Sequence, residues 1–358
     1  MAAITSMPVE DLARVLTYHV IAGEVPSSAV TAGVVDTVAE LSLVVGTSSG
    51  VTLNGGNTVT GGANVVTADV DASNGVIHVI DRVLLPPTVA DLARYAGLSS
   101  LGGALTDASL ADDLAGAGPF TVFAPTNAAF AALPAVPTGD ALATVLLYHV
   151  VGASVESDAD PGLAATLATN TYGDHLSLLF NTSSGVRVNC RANVTTADVH
   201  ATNGVVHIVD QVLLPMNVVD AATAAGLTGL LSAVSGAADV SEGVSVAAAL
   251  STQAPYTVFA PNNDAFTAIA STLETLNPGQ VRDVLLYHVL STTSFESPVL
   301  AADLPATSTD LATLLGPTAT FDPTASPPTI DGADILLTDI VVTNGVVHVI
   351  GSVMLPPS

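Results

Sequence analysis

Asn203-Gly204-Val205-Val206-His207-Ile208-Val209-Asp210-Gln211-Val212-Leu213-Leu214-Pro215 decides the reading of this chain, because the stretch occurs three times. The first copy is Asn74-Gly75-Val76-Ile77-His78-Val79-Ile80-Asp81-Arg82-Val83-Leu84-Leu85-Pro86. The last is Asn344-Gly345-Val346-Val347-His348-Val349-Ile350-Gly351-Ser352-Val353-Met354-Leu355-Pro356. Asn-Gly is a turn signal, since both residues tolerate positive φ. The β-branched run after it reads as a short buried strand, ended by proline. Three matched copies mean internal duplication. From His78 to His207 is 129 residues, and from His207 to His348 is 141. Each unit is therefore long enough to bury a core of its own, and the period is too long for a solenoid of small repeats.

A second motif precedes the first in two copies. It is Thr121-Val122-Phe123-Ala124-Pro125-Thr126-Asn127-Ala128-Ala129-Phe130, and again Thr257-Val258-Phe259-Ala260-Pro261-Asn262-Asn263-Asp264-Ala265-Phe266. Between the two motifs lies a Tyr-His pair, Tyr148-His149 and Tyr287-His288, matched by Tyr18-His19 in the first copy. This order resembles the fasciclin (FAS1) domain. The Thr-Val-Phe-Ala-Pro stretch is similar to its first conserved box, Leu-Leu-Tyr-His-Val to its Tyr-His motif, and the quoted run to its second box. The resemblance covers essentially the whole chain and implies an α+β fold of tandem fasciclin-like domains, each a β-sheet core with a helical layer. The first copy lacks the Thr-Val-Phe-Ala-Pro box. The expected organisation is a partial domain over 1–87, the back half only, then complete domains over 88–216 and 217–358. The departure also suggests a sequence that begins partway through a longer secreted chain.

Composition narrows the functional classes. Six arginines and no lysine stand against 32 acidic residues, a formal charge of −26. Phosphate backbones would repel such a surface, so nucleic acid is excluded as a partner. Anionic membrane is excluded as an electrostatic docking surface on the same ground. Self-repulsion keeps the chain soluble and suits an acidic secreted protein, or one from a salt-rich setting. Charged residues make up only 11% and hydrophobic residues 49%, which is not the balance of a disordered chain. Cys190 is the one cysteine, so no intrachain disulfide forms and burial must supply stability. No basic start followed by a long apolar core marks a leader in the first 16 residues, and no apolar run reaches membrane-spanning length.

Taken in order, residues 8–22 carry Val9, Leu12, Val15, Leu16 and Val20 at helical spacing. Residues 41–45 and 51–53 read as strands around a hairpin-like loop, with a further strand over 65–70. Residues 54–62 are rich in glycine and threonine. In the second unit, helices are expected over 89–95, 101–114, 127–133 and 140–149. Strands are expected over 120–124, 176–180, 186–189, 194–199 and 205–214. The third unit repeats this: helical over 218–250, a strand at 256–260, helices near 264–273 and 278–288, strands at 335–342 and 346–354. Residues 319–331 are proline-rich and diverge most. Helices followed by a run of strands suit an α+β domain, and the short proline-containing links predict a stiff array.

Candidate chemistry is sparse. Six of the eight histidines sit in the repeated motifs, and none shows the spacing of a zinc site or metalloprotease. Tyr18, His19, Tyr148, His149, Tyr287 and His288 are the candidate interaction residues, because the resemblance implies receptor contact near the Tyr-His motif. The structural alternative is a buried histidine tying helix to sheet, favoured by the apolar residues around it. Asp69-Val70-Asp71-Ala72-Ser73-Asn74-Gly75 resembles the start of a calcium loop but lacks the closing glutamate, so a turn explains it better. No nucleophile elbow, phosphate loop or dinucleotide fingerprint occurs. Asn181 and Asn193 open glycosylation sequons. No catalytic residue, metal or cofactor is expected.

The resemblance implies a non-enzymatic extracellular or cell-surface adhesion protein, or a matrix or fibre-forming one. Its partners would be a cell-surface receptor or matrix polysaccharide. A half-domain exposes core-facing residues and strand edges, so self-association through the first unit is expected, head to tail into a filament. The alternative is a secreted binder of an apolar pigment or lipid, although no tryptophan is available for stacking.

Overall fold

A computed structural model describes residues 7–56, 61–159, 162–182, 185–237, 246–252, 255–291 and 295–357. The expectations for 57–60, for 238–245 and for Ser183 of the Asn181 sequon fall outside the described residues. The chain forms two compact units: Met1–Asp160 with Ala192–Leu213, and Pro161–Arg191 with Leu214–Ser358.

In the first unit, helix α1 (Val9–Tyr18) precedes strands β1 (Gly33–Asp36), β2 (Ser42–Gly46), β3 (Thr52–Leu53), β4 (Ala63–Ala72) and β5 (Gly75–Ile80). They form one antiparallel sheet in sequential order, with β5 at its edge. Tyr18, Leu41, Leu43, Ala63 and Leu84 make its core. The same unit holds α2 (Val89–Tyr95), α3 (Ser99–Asp107), α4 (Ala111–Leu114), β6 (Phe120–Pro125), α5 (Asn127–Ala131), α6 (Asp140–Tyr148) and β7 (Val150–Val151). Strands β11 (Ala192–Ala201) and β12 (Gly204–Val209) complete it. Thr88 starts α2 through a capping box with Asp91, which satisfies two amides at the helix start.

The second unit holds β8 (Leu163–Thr169), β9 (His175–Asn181) and β10 (Arg187–Val188). It continues with α7 (Val218–Ala224), α8 (Thr228–Gly236), α9 (Val246–Leu250), β13 (Tyr256–Pro261), α10 (Asn263–Ala268), α11 (Ala270–Leu273) and α12 (Pro278–Tyr287). Strands β14 (Thr309–Ala312), β15 (Thr318–Asp322), β16 (Thr329–Ile330), β17 (Ala333–Val342) and β18 (Gly345–Ile350) follow. Capping boxes Asn217/Asp220 and Asn277/Gln280 start α7 and α12, the latter with proline at its first turn. A core under α7 to α9 includes Val218, Ala221, Leu230, Val258, Leu285 and Val347.

The box strand pairs on both sides, and the place of its glycine differs from the sequence reading. The box strand is not purely antiparallel: β12 pairs antiparallel with β11 but parallel with β6, from Gly204 opposite Phe120 to Val209 opposite Pro125. Strand β18 repeats this with β17 and β13, from Gly345 opposite Tyr256 to Ile350 opposite Pro261. The motif glycine also opens the strand, since the ladder pairs Ala201 with Gly204 and leaves Thr202-Asn203 as the two-residue loop. Glycine is required there by close approach as well: a Cβ on Gly204 would lie 1.9 Å from the Phe120 carbonyl oxygen.

Candidate functional site

The Tyr-His pair ends a helix in each repeat, at the last residue of α1, α6 and α12 and the residue after it. The histidine geometry is repeated. His149 Nδ1 lies 2.7 Å from the Val145 carbonyl, and the Leu213 amide approaches its Nε2 at 2.9 Å. A carbonyl only accepts and an amide N–H only donates, so Nδ1 carries the proton and Nε2 is the acceptor. His288 makes the same pair with the Val284 carbonyl at 2.7 Å and the Met354 amide at 3.0 Å. His19 does so with Val15 and Leu84, at 2.7 and 3.0 Å. Each imidazole thus pins the helix end to the chain leaving the second box. Burial pushes His149 and His288 down to about 4.

The tyrosines point inward. Tyr18 donates to the Ser42 carbonyl at 2.9 Å and accepts from Asn54 Nδ2 at 3.0 Å. Tyr287 donates to the Thr318 carbonyl at 2.9 Å and lies 3.1 Å from the Asp331 carboxylate. Burial first, and then Asp331, push the Tyr287 phenol up to about 12. Tyr18, Tyr148, His149, Tyr287 and His288 are 0–2% exposed. The polar groups of Tyr18, His149, Tyr287 and His288 are spent within their own repeats, and His19 alone among the six is exposed. The structure therefore does not gather the six into one surface.

The box histidines use the opposite ring nitrogen. His207 Nε2 donates to the Val155 carbonyl at 2.8 Å, while Nδ1 accepts from the Asp198 amide at 3.2 Å. His348 repeats this with Val299 at 2.9 Å and Asp339 at 3.3 Å. The rings of Phe123 and Phe259 stack on them, with centroids 5.3 Å apart in both cases. Asp69, which opens the stretch that resembled a calcium loop, sits at a bulge between β4 and β5, and Asp198 at the matching bulge between β11 and β12. Asp69 and Asp198 have φ of 56° and 55°, and accept from the Ser27 and Ser157 amides and hydroxyls. The Ser27 hydroxyl and amide hold the Asp69 carboxyl below its usual range. Among the described residues no group of three or more His, Cys, Asp or Glu side chains could hold a metal ion.

Sequence reasoning missed two sets of residues. The motif asparagines are fasteners: Asn344 Oδ1 accepts from the Val218 amide at 3.0 Å, and Nδ2 donates to the Leu250 and Thr252 carbonyls at 2.7 and 2.8 Å. Asn203 does the same for Val89, Leu114 and Gly116. Replacing the 1%-exposed Asn344 by alanine leaves three backbone groups unsatisfied and is expected to cost about 3 kcal/mol in urea unfolding. An unchanged midpoint would contradict this. The second set is the serines of β2 and β9. Ser42 Oγ accepts from the His200 amide at 2.9 Å, and Ser177 Oγ from the Val341 amide at 3.0 Å. Each serine holds a bulged strand of the next repeat, and the Leu-Ser-Leu shared by 41–43 and 176–178 was the legible signal.

The cavity beneath α7 to α9 measures about 40 Å³, room for one water-sized molecule. A wider groove of about 540 Å³ in the second unit is lined by Leu179, Phe180, Cys190, Asn262, Asp264 and Leu337. No helix among the described residues is long and apolar enough to cross a membrane.

Tandem α+β repeats with this motif order and these buried Tyr-His fasteners define a class of modular domain. The chain belongs to the fasciclin family: the family model described as "Fasciclin domain" matches residues 2–86, 96–215 and 232–356. It is similar to the transforming growth factor-beta-induced protein ig-h3 of Sus scrofa, with 31% identity over 301 residues, 76% of this chain and 41% of that protein. Periostin of Homo sapiens is 32% identical over 220 residues, 57% of this chain and 24% of that protein. Protein sll1483 of Synechocystis is 45% identical over 127 residues, covering 33% of this chain and 67% of that one. The chain thus spans less than half the length of the ig-h3 and periostin relatives. Among solved structures, a FAS1 domain pair from the insect cell adhesion molecule Fasciclin I aligns at a TM-score of 0.43 and 19% identity, over 74% of this chain and 98% of that one.

Proposed function

We propose that this chain is a non-enzymatic extracellular adhesion or matrix protein, acting through its tandem fasciclin domains and self-associating head to tail through its first repeat. The observation that carries this is the threefold fasciclin match across nearly the whole chain. Similarity to ig-h3 and periostin supports it. Tandem copies multiply weak contacts into avidity, so no single deep site is needed. The surface partner is a receptor or matrix polysaccharide, met by side chains outside the buried Tyr-His motifs.

The test is retention of cells and of matrix polysaccharides on the immobilised chain. Retention rising steeply with surface density is the expected result. No retention of either, with free polysaccharide up to about 100 μM, would remove the reading. The second reading, an apolar small-molecule binder, is favoured by the 540 Å³ groove, a volume suited to a small ligand. A pigment carried there would give the natural protein a visible absorbance band.

A further inference from the structure

The same local framework occurs twice in the chain. In the first unit the Asn54 amide donates to the Val44 carbonyl at 2.7 Å, and its Oδ1 accepts from the Val44 amide at 3.1 Å. Asn189 does the same to Leu179 in the second unit, at 2.7 and 2.9 Å. Helices α2 and α7 start with matching capping boxes and end at Tyr95 and Ala224. Asn127 and Asn263 each clasp the turn after those helices, with Nδ2 donating to the Gly97 or Gly226 carbonyl at 2.9 Å. These matches put Tyr95 and Ala224 at one and the same position.

What occupies that position differs. Tyr95 is 6% exposed, and its hydroxyl lies against the end of the 55–62 segment: a Cβ added at Gly61 would collide with Tyr95 Oη. That segment runs from Asn54 to Ala63, where β4 begins. At the second occurrence only Cys190 and Arg191 separate Asn189 from Ala192, and the phenol has become the methyl of Ala224. The groove of about 540 Å³ opens there, with Ala224 and Cys190 in its lining. Both the tyrosine ring and most of a loop are missing, so the space exceeds one ring and falls in the range of small-molecule sites.

Building on the small-molecule reading of this groove, we infer that it binds a neutral polyphenol of two or three rings, with one ring taking the place that Tyr95 fills in the first unit. Phe180 lines the groove at the strand position of Val45, since Phe180 pairs with Val188 as Val45 pairs with Leu53. It offers a second ring an aromatic neighbour. Hydroxyl groups meet the rim. Asn262 uses its Oδ1 on the Ala265 amide at 2.8 Å, which leaves its Nδ2 to donate. The exposed Asp264 carboxylate accepts from a hydroxyl and repels a ligand carboxylate, in a chain of formal charge −26. That repulsion selects a neutral phenol over a fatty acid.

The probe is resveratrol, a two-ring neutral polyphenol, dialysed to equilibrium against the whole chain at pH 7. Saturable binding is expected. Cys190 is the only cysteine, so its alkylation by iodoacetamide reports on the groove. At ten times its dissociation constant, resveratrol leaves about one site in ten free and should slow alkylation about tenfold. Ala224→Tyr restores the first unit's own ring and is expected to weaken binding by about tenfold or more, with the urea midpoint reporting that it folds. Leu337→Glu, on the groove wall at a 36%-exposed position, should weaken it likewise and keeps the test open if the tyrosine variant is unstable. Val136→Lys, at an exposed site on the second repeat, should leave binding unchanged.

No saturable binding up to about 100 μM, or binding that both groove variants leave intact, overturns the inference. Oleate that protects Cys190 where resveratrol does not would remove the phenolic ligand and keep the groove as a binder of apolar molecules. Protection by neither would remove both readings, and protection by resveratrol alone would remove the lipid.

Discussion

Gly204→Ala is expected to unfold the second repeat under conditions where Gly75→Ala leaves the first intact. Both glycines follow asparagine in the same motif, and both have left-handed φ, +153° and +157°. Their surroundings differ. A Cβ on Gly204 would stand 1.9 Å from the Phe120 carbonyl oxygen and 2.8 Å from its amide nitrogen. These are backbone atoms of the parallel partner strand, and they cannot yield without breaking the β6–β12 ladder. A Cβ on Gly75 would meet nothing within 4 Å. Gly204→Ala should therefore cost about 4 kcal/mol or more, the range of severe backbone conflicts. Gly75→Ala should cost about 1 kcal/mol, from the unfavourable φ alone. Gly345→Ala should resemble the former, with its Cβ 2.2 Å from the Tyr256 carbonyl oxygen. Urea unfolding with hydrogen exchange resolved by repeat measures all three. Equal costs at Gly204 and Gly75 would show that turn conformation, and not close approach, sets the requirement.

Lowering the pH from 7.5 to 5 is expected to destabilise the repeats containing His149 and His288. Each ring is buried and neutral, donating from Nδ1 and accepting at Nε2. A second proton would face the Leu213 or Met354 amide N–H, and the charge would sit without solvent. Burial holds both groups at about 4 against an ordinary 6.5. The unfolded chain then binds more protons than the folded one throughout that interval. The stabilisation is complete above about 6.5 and is lost as the pH falls toward 4, at about 3 kcal/mol per histidine. Burial pushes His348 in the same direction.

Partial neutralisation of the −26 charge relieves self-repulsion and opposes this loss, but mainly near and below pH 4, where carboxylates titrate. The histidine effect should therefore stand clear between pH 7.5 and 5. Urea midpoints across that interval check it. His149→Asn should lower the midpoint at pH 7.5 and flatten its pH dependence in the second repeat. A wild-type midpoint constant from pH 7.5 to 5 would rule the linkage out.

Much of the local structure was legible because its causes are local. Capping residues such as Asn277 with Gln280 fix helix starts within one turn, and the β-branched box runs form strands wherever they occur. Strands β1, β7, β8, β14, β15 and β16 were not anticipated. Leu163–Thr169 carries alanine and threonine in no strict alternation, and Val150–Val151 is two residues long; partners elsewhere in the chain make them strands.

The sequence by itself determined the threefold repetition, the family, the α+β class and which residues recur. The tertiary structure alone decided what each recurrent residue does. Parallel pairing of β6 with β12 joins segments about 80 residues apart, beyond the reach of local periodicity. That pairing buries Val206 and leaves Ile77 exposed, although the two lie at the same motif position. It also makes Gly204 irreplaceable and Gly75 dispensable. Two histidines in one repeat carry their protons on opposite nitrogens: His149 Nδ1 meets the Val145 carbonyl of its own helix and Nε2 the distant Leu213 amide, whereas His207 Nε2 meets the distant Val155 carbonyl and Nδ1 the Asp198 amide, so hydrogen-bond polarity follows from the group each nitrogen meets.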